Sequence, residues 1–143
     1  MTNENTFETT FIEEEATQTL HKGYQQAEKT LQNRDELERL LQRLEKKLAT
    51  IPQVGDALSK VPALFSLLKS YANKEYTDLP IGTIVAIISA LAYFVSPFDL
   101  IPDVIPGVGH LDDAAVVLAC LKLVQSDVDE YLAWRTANGK NIF

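Results

Sequence analysis

One stretch limits the folds open to this chain more than any other. Ile81–Val95, IGTIVAIISALAYFV, is apolar on nearly every face, with Pro80 before it and Ser96-Pro97 after it. A helix that is apolar all round must be surrounded by protein or by lipid. The uncharged run that contains it, Leu79–Phe98, has 20 residues, the nominal length of a membrane span. The two prolines trim the regular helix to roughly 15–16 residues, or about 22–24 Å, short of a hydrocarbon core of about 30 Å. A second apolar run, Ala114–Leu121, is shorter and is closed by Lys122. Two readings follow: two buried helices of a small bundle, or a helical hairpin that dips into or lies on a bilayer. Lys60, Lys69 and Lys74 precede the first run and would keep that side cytoplasmic.

The rest of the chain predicts helices around this pair. Leu20, Tyr24, Ala27 and Leu31 share one helical face. Asn33 and Glu36 have the spacing of a capping box, and Leu37, Leu40, Leu41, Leu44 and Leu48 carry a second stripe, in line with the first or continuous with it. Ile51-Pro52 ends that segment. A further helix is expected between Gly55 and about Asn73, with Pro62 marking a kink or a late start near Val61. Thr77 or Asp78 can cap the next helix, with Pro80 in its first turn. The last helix should run from Asp112 to about Thr136 and stop at Asn138-Gly139. The β-branched residues at 84–88 lie in a run too long for a typical strand. The expected architecture is therefore all-α: a small helical bundle with a central apolar hairpin joined by an Asp/Pro-rich turn. Residues 1–12 read as a disordered acidic tail, 13–52 as an amphipathic helical arm, 53–136 as the helical core domain and 137–143 as a C-terminal tail.

Charge narrows the function classes. The net charge of −7 gives no electrostatic footprint for nucleic acid. Residues 75–121 hold six acids and no Lys or Arg, so the turn between the apolar runs would not be drawn to anionic lipid. The single cysteine, Cys120, excludes an internal disulfide framework and a multi-cysteine zinc site. The first fifteen residues carry five acids, no base and no apolar core, so the expected location is the cytoplasm or the cytoplasmic face of a membrane.

The candidate site is the turn itself, SPFDLIPDVIPGVGHLDD, residues 96–113. Part of it is helix punctuation. Ser96, Pro97 and Asp99 have capping-box spacing, Asp112 can cap the last helix, and Leu111 and Val116 have the spacing of a hydrophobic staple. Pro102 and Pro106 stiffen the connection, and Gly107 and Gly109 permit turn geometry. Asp103 caps nothing obvious. Asp99, Asp103, Asp112 and Asp113 are four carboxylates within 15 residues and repel one another without a local counter-charge. Solvent exposure, protonation or a hard divalent cation would relieve this, and all-oxygen ligands suit Mg²⁺, Mn²⁺ or Ca²⁺. His110 can add a nitrogen ligand, which would favour Mn²⁺ or Zn²⁺, or stand exposed in the turn. The spacing is not that of an EF-hand loop.

These residues resemble a known family. Tyr93-Phe-Val-Ser-Pro97, Asp99-Leu-Ile-Pro-Asp103, Ile105-Pro106, Gly109 and Leu111-Asp-Asp113 follow the pattern of the bacterial domain of unknown function 1232, also called YkvA-like, over about residues 60–125. The resemblance implies a compact helical hairpin, often described as membrane-associated, and no established activity. Its motif positions here are Tyr93, Pro97, Asp99, Pro102, Asp103, Pro106, Gly109, Asp112 and Asp113, and His110 stands where relatives often carry an aromatic residue.

Two functions follow as expectations. The first is a non-enzymatic helical module, membrane-proximal or protein-binding, with the aspartates as structural and cation-binding elements. The alternative is a divalent-metal-dependent hydrolase that uses Asp99, Asp103, Asp112 and Asp113. A Ser96, His110 and Asp112 triad lacks the strand-to-helix elbow that exposes a serine nucleophile. Tyr131 and Trp134, three apart on the last helix, read as packing residues. Partners in view are a membrane surface, a partner helix, or a second copy of the chain met through residues 13–48.

Overall fold

The computed structural model describes residues 14–50, 58–95 and 113–140. Every regular element among them is helical. Helix α1 covers residues 14–22, α2 Tyr24–Gln32, α3 Arg34–Thr50, α4 Val61–Ala72, α5 Ile81–Val95 and α6 Asp113–Ala137. A single 3₁₀ turn, Leu58–Lys60, leads into α4.

The breaks between helices have local causes. Gly23 separates α1 from α2, with its N–H bonded to the Leu20 carbonyl at 3.2 Å. Asn33 serves two helices. Its N–H closes α2 on Thr30, while its side-chain oxygen accepts the N–H groups of Asp35 (3.1 Å) and Glu36 (3.3 Å). The cap expected from Asn33 is therefore formed, but its N–H is engaged by Thr30 and not by Glu36. Of the two expectations for Pro62, the late start holds, since Pro62 lies in the first turn of α4 where its missing N–H costs nothing. Neither Thr77 nor Asp78 caps α5. Pro80 stands just before the helix, and its carbonyl accepts the first helical N–H groups, from Thr83 and Ile84.

Two helices end in the same six-residue motif. After α6, Lys140 N–H bonds the Arg135 carbonyl and Gly139 N–H bonds Thr136, with Gly139 at φ 66°. After α4, Glu75 N–H bonds Ser70 and Lys74 N–H bonds Tyr71, with Lys74 at φ 61° in the left-handed position that glycine normally takes.

Helix α5 is the centre of the bundle. Every residue from Thr83 to Leu91 is buried, and α2, α3, α4 and α6 all pack on it. Its apolar faces are thus covered by protein, which is the bundle reading of the sequence. Among the described residues no helix is long and apolar enough to cross a membrane. The leucine stripe of α3 joins the same core: Leu37, Leu40 and Leu44 are buried together with Ala27, Leu64, Ile87 and Val117. Each fully buried Leu or Ile contributes about 1.5–3 kcal/mol of transfer free energy.

Candidate functional site

The site begins with the register of α5 on α6. Thr83 Oγ1 donates to Asp127 Oδ2 at 2.6 Å, and the Cys120 thiol donates to the Ala86 carbonyl at 3.5 Å. Rising numbers on α5 therefore meet falling numbers on α6, so the helices are antiparallel. The C-terminus of α5 and the N-terminus of α6 lie at one end of the bundle, and segment 96–112 leaves and re-enters there.

That end is fastened from α3. The Lys47 ammonium donates to the Phe94 carbonyl in the last turn of α5 and lies 4.3 Å from the centroid of the Phe94 ring. A cation at a helix C-terminus meets the negative end of the helix dipole, and one over an aromatic face adds a second attraction. Tyr93 is buried beside it, 5% exposed. The sequence around the turn contains no base. The fold supplies one from 47 residues upstream, at the helix end from which the aspartate segment departs.

Asp99, Asp103 and Asp112 lie outside the described residues, as do Pro97, Pro102, Pro106, Gly109 and His110. Asp113 is the first residue of α6, and its side chain is likewise outside them. Among the described residues no group of three or more His, Cys, Asp or Glu side chains could hold a metal ion.

Two separate sets of polar contacts sit inside the core, and local sequence patterns did not reveal them. Ser89 Oγ donates to the Leu20 carbonyl at 2.7 Å, tying α5 to the α1–α2 break. Tyr131, fully buried, donates to the Ser66 carbonyl at 3.0 Å and lies 2.6 and 2.8 Å from the hydroxyls of Ser66 and Ser70. Arg135 Nη1 donates to the same phenolic oxygen at 3.2 Å. Tyr76 packs on Tyr131 and Trp134 with ring centroids 5.1 and 5.0 Å apart, so the packing role read for Tyr131 and Trp134 holds. The one available signal was Ser66 and Ser70, an i,i+4 pair on a helix otherwise apolar at its buried positions.

Burial also sets the chemistry of the titratable groups. It pushes the Cys120 thiol up to about 12, which makes it an inert core residue. Tyr24 is raised by burial and by Cys120. Tyr76 is raised by burial first, and then by the charges of Glu130, Asp78 and Asp127 and by Tyr131.

Fold and site together define a small helical module built round an antiparallel apolar hairpin, with the C-terminus of α5 and the N-terminus of α6 at one end. A family model described as "Protein of unknown function (DUF1232)" matches residues 83–119, which span α5, the aspartate segment and the start of α6. A Bacillus subtilis (strain 168) protein named "Uncharacterized membrane protein YkvA" is 33% identical over 78 residues, covering 54% of this chain and 74% of that protein. No solved structure matches. The chain belongs to the DUF1232 family.

Proposed function

We propose that this chain is a non-enzymatic module that works at the cytoplasmic surface of a membrane and presents a divalent-cation-binding aspartate segment from one end of its bundle. The observation that carries the reading is the antiparallel register of α5 and α6 with Lys47 on the Phe94 carbonyl. It supports the reading because both flanks of segment 96–112, the end of α5 and the start of α6, lie at one end of the bundle, and Asp99, Asp103, Asp112 and Asp113 fall on or beside that stretch of chain. Closing a loop in advance lowers the entropy cost of gathering its carboxylates around an ion. Oxygen-only donors suit Mg²⁺, Mn²⁺ or Ca²⁺.

Association with the membrane surface is supported by the similarity to YkvA of Bacillus subtilis, which is named a membrane protein. Because α5 is buried from Thr83 to Leu91, contact with lipid falls to the outer surface of the bundle, where Ile81 at the start of α5 and Leu118 and Leu123 on α6 are exposed. The test is twofold. The thermal midpoint should rise when Mg²⁺, Mn²⁺ or Ca²⁺ replaces EDTA, by the equivalent of about 2.7 kcal/mol at 100 times the dissociation constant. The chain should also float with phospholipid vesicles and be released by alkaline carbonate. An unmoved midpoint removes the cation, and failure to float removes the membrane.

A further inference from the structure

The far end of the bundle holds a different feature. Helix α3 runs about 20 Å from Lys47 back to Arg34, and there the α2–α3 corner faces the α4–α5 connector across a cleft of about 310 Å³. Leu31, Leu37, Tyr71 and Ala72 give it apolar walls, and Arg34, Lys74 and Thr77 complete the lining. Both charged residues in the lining are cations. Arg34 engages Nε with Glu38 at 3.2 Å, one donor of the five a guanidinium carries. Among the described residues, no acid pairs with the Lys74 ammonium. Lys74 is also held at φ 61°, where glycine is the favoured residue. The fold therefore keeps a strained lysine at the rim of an apolar cleft without engaging its charge.

We propose that this cleft binds a single-chain anionic amphiphile, an acyl chain whose carboxylate head lies between Arg34 and Lys74. The apolar walls match the chain, and the two cations match the head. Ligand sites occupy roughly 300–1,000 Å³, so a cleft at the lower limit of that range suits one chain and not a two-chain lipid. The Thr77 hydroxyl adds a neutral donor at the head.

Calorimetric titration of the full chain with decanoate, kept below its micellar concentration, tests this against decanol, acetate and decyl phosphate. Decanoate should bind saturably, one per chain, with decanol and acetate each at least tenfold weaker. Arg34→Gln and Lys74→Gly should each weaken decanoate at least tenfold. Lys74→Gly removes the ammonium and relaxes the backbone, so its thermal midpoint, measured without ligand, separates lost binding from lost folding. Absent or non-saturable uptake, equal affinity for decanoate and decanol, or undiminished binding by the double variant would overturn the site. Tighter binding of decyl phosphate than of decanoate would overturn the carboxylate assignment.

Discussion

Thr83 and Asp127 meet at 2.6 Å, hydroxyl to carboxylate, and this hydrogen bond joins the two helices of the central hairpin at the end away from the aspartate segment. Thr83 is buried at the start of α5 and Asp127 is half-buried on α6. Thr83→Val keeps the shape and removes the donor, leaving a partly desolvated carboxylate. We expect a loss of about 1–2 kcal/mol in chemical denaturation. Asp127→Asn retains an acceptor oxygen and should lose less than half of that. A neutral Thr83→Val would mean that the register is held by packing alone.

Tyr131→Phe tests the buried hydroxyl cluster between α4 and α6. It strips the phenolic oxygen from Ser66, Ser70 and Arg135 without opening a cavity. The two serines can turn back to carbonyls of their own helix, so the expected loss is about 1–2 kcal/mol, at the low end for buried unsatisfied groups. Denaturation midpoints of the variant and the parent check it.

Lys74→Gly should stabilise the chain. The lysine occupies the left-handed position of the turn after α4, at φ 61°. Glycine removes a steric cost of about 1–2 kcal/mol and adds roughly 0.5–1 kcal/mol of unfolded-state entropy. The net gain should be up to about 1.5 kcal/mol, whereas Lys74→Val should be destabilising.

Lys47→Met separates the ammonium from its aliphatic stem. It removes the donor to the Phe94 carbonyl and the cation over the Phe94 ring. The helix-end and cation–aromatic contributions together predict a loss of about 1–2 kcal/mol. Arg39→Met, at an exposed position on the same helix, should stay within about 0.5 kcal/mol.

Much of the fold was legible because its signals are local. Pro80 marks the start of α5, and fifteen residues apolar on nearly every face must be covered by protein or by lipid, a choice that the packing of the other helices decides for protein. Asn33 announces its helix start by side-chain chemistry that acts within three residues. Gly23 gave no such signal, because it stays in the right-handed region at φ −81° and the break has no side-chain cap. Lys47 could not be foreseen for a different reason: its partner lies 47 residues away, and only the packing of α3 on α5 brings them together. The same holds for Ser89 on Leu20 and for Tyr131 on Ser66 and Ser70. The four aspartates remain a reading of composition and spacing, since Asp99, Asp103 and Asp112 and the side chain of Asp113 lie outside the described residues.

Alkaline pH should destabilise the chain through Cys120. Its folded thiol is pushed up to about 12 by burial, above the usual value of 9.0. The native state therefore keeps a proton that the unfolded chain releases, and stability falls from about pH 9 towards 12, by up to about 1.4 kcal/mol per unit. Tyr24 and Tyr76 are shifted in the same direction and steepen the fall above pH 10. Cys120→Ala should flatten the slope between pH 9 and 10. An unchanged slope would place the effect elsewhere.

The most direct test of the aspartate segment as a cation site is a titration of Mn²⁺ followed by its electron paramagnetic resonance signal, with wild type, Asp103→Asn and Asp127→Asn side by side. The account predicts one saturable Mn²⁺ per chain in the wild type, weakened at least tenfold by Asp103→Asn and unchanged by Asp127→Asn. A free-ion signal in the wild type at every concentration, or equal binding by Asp103→Asn and the wild type, would contradict it.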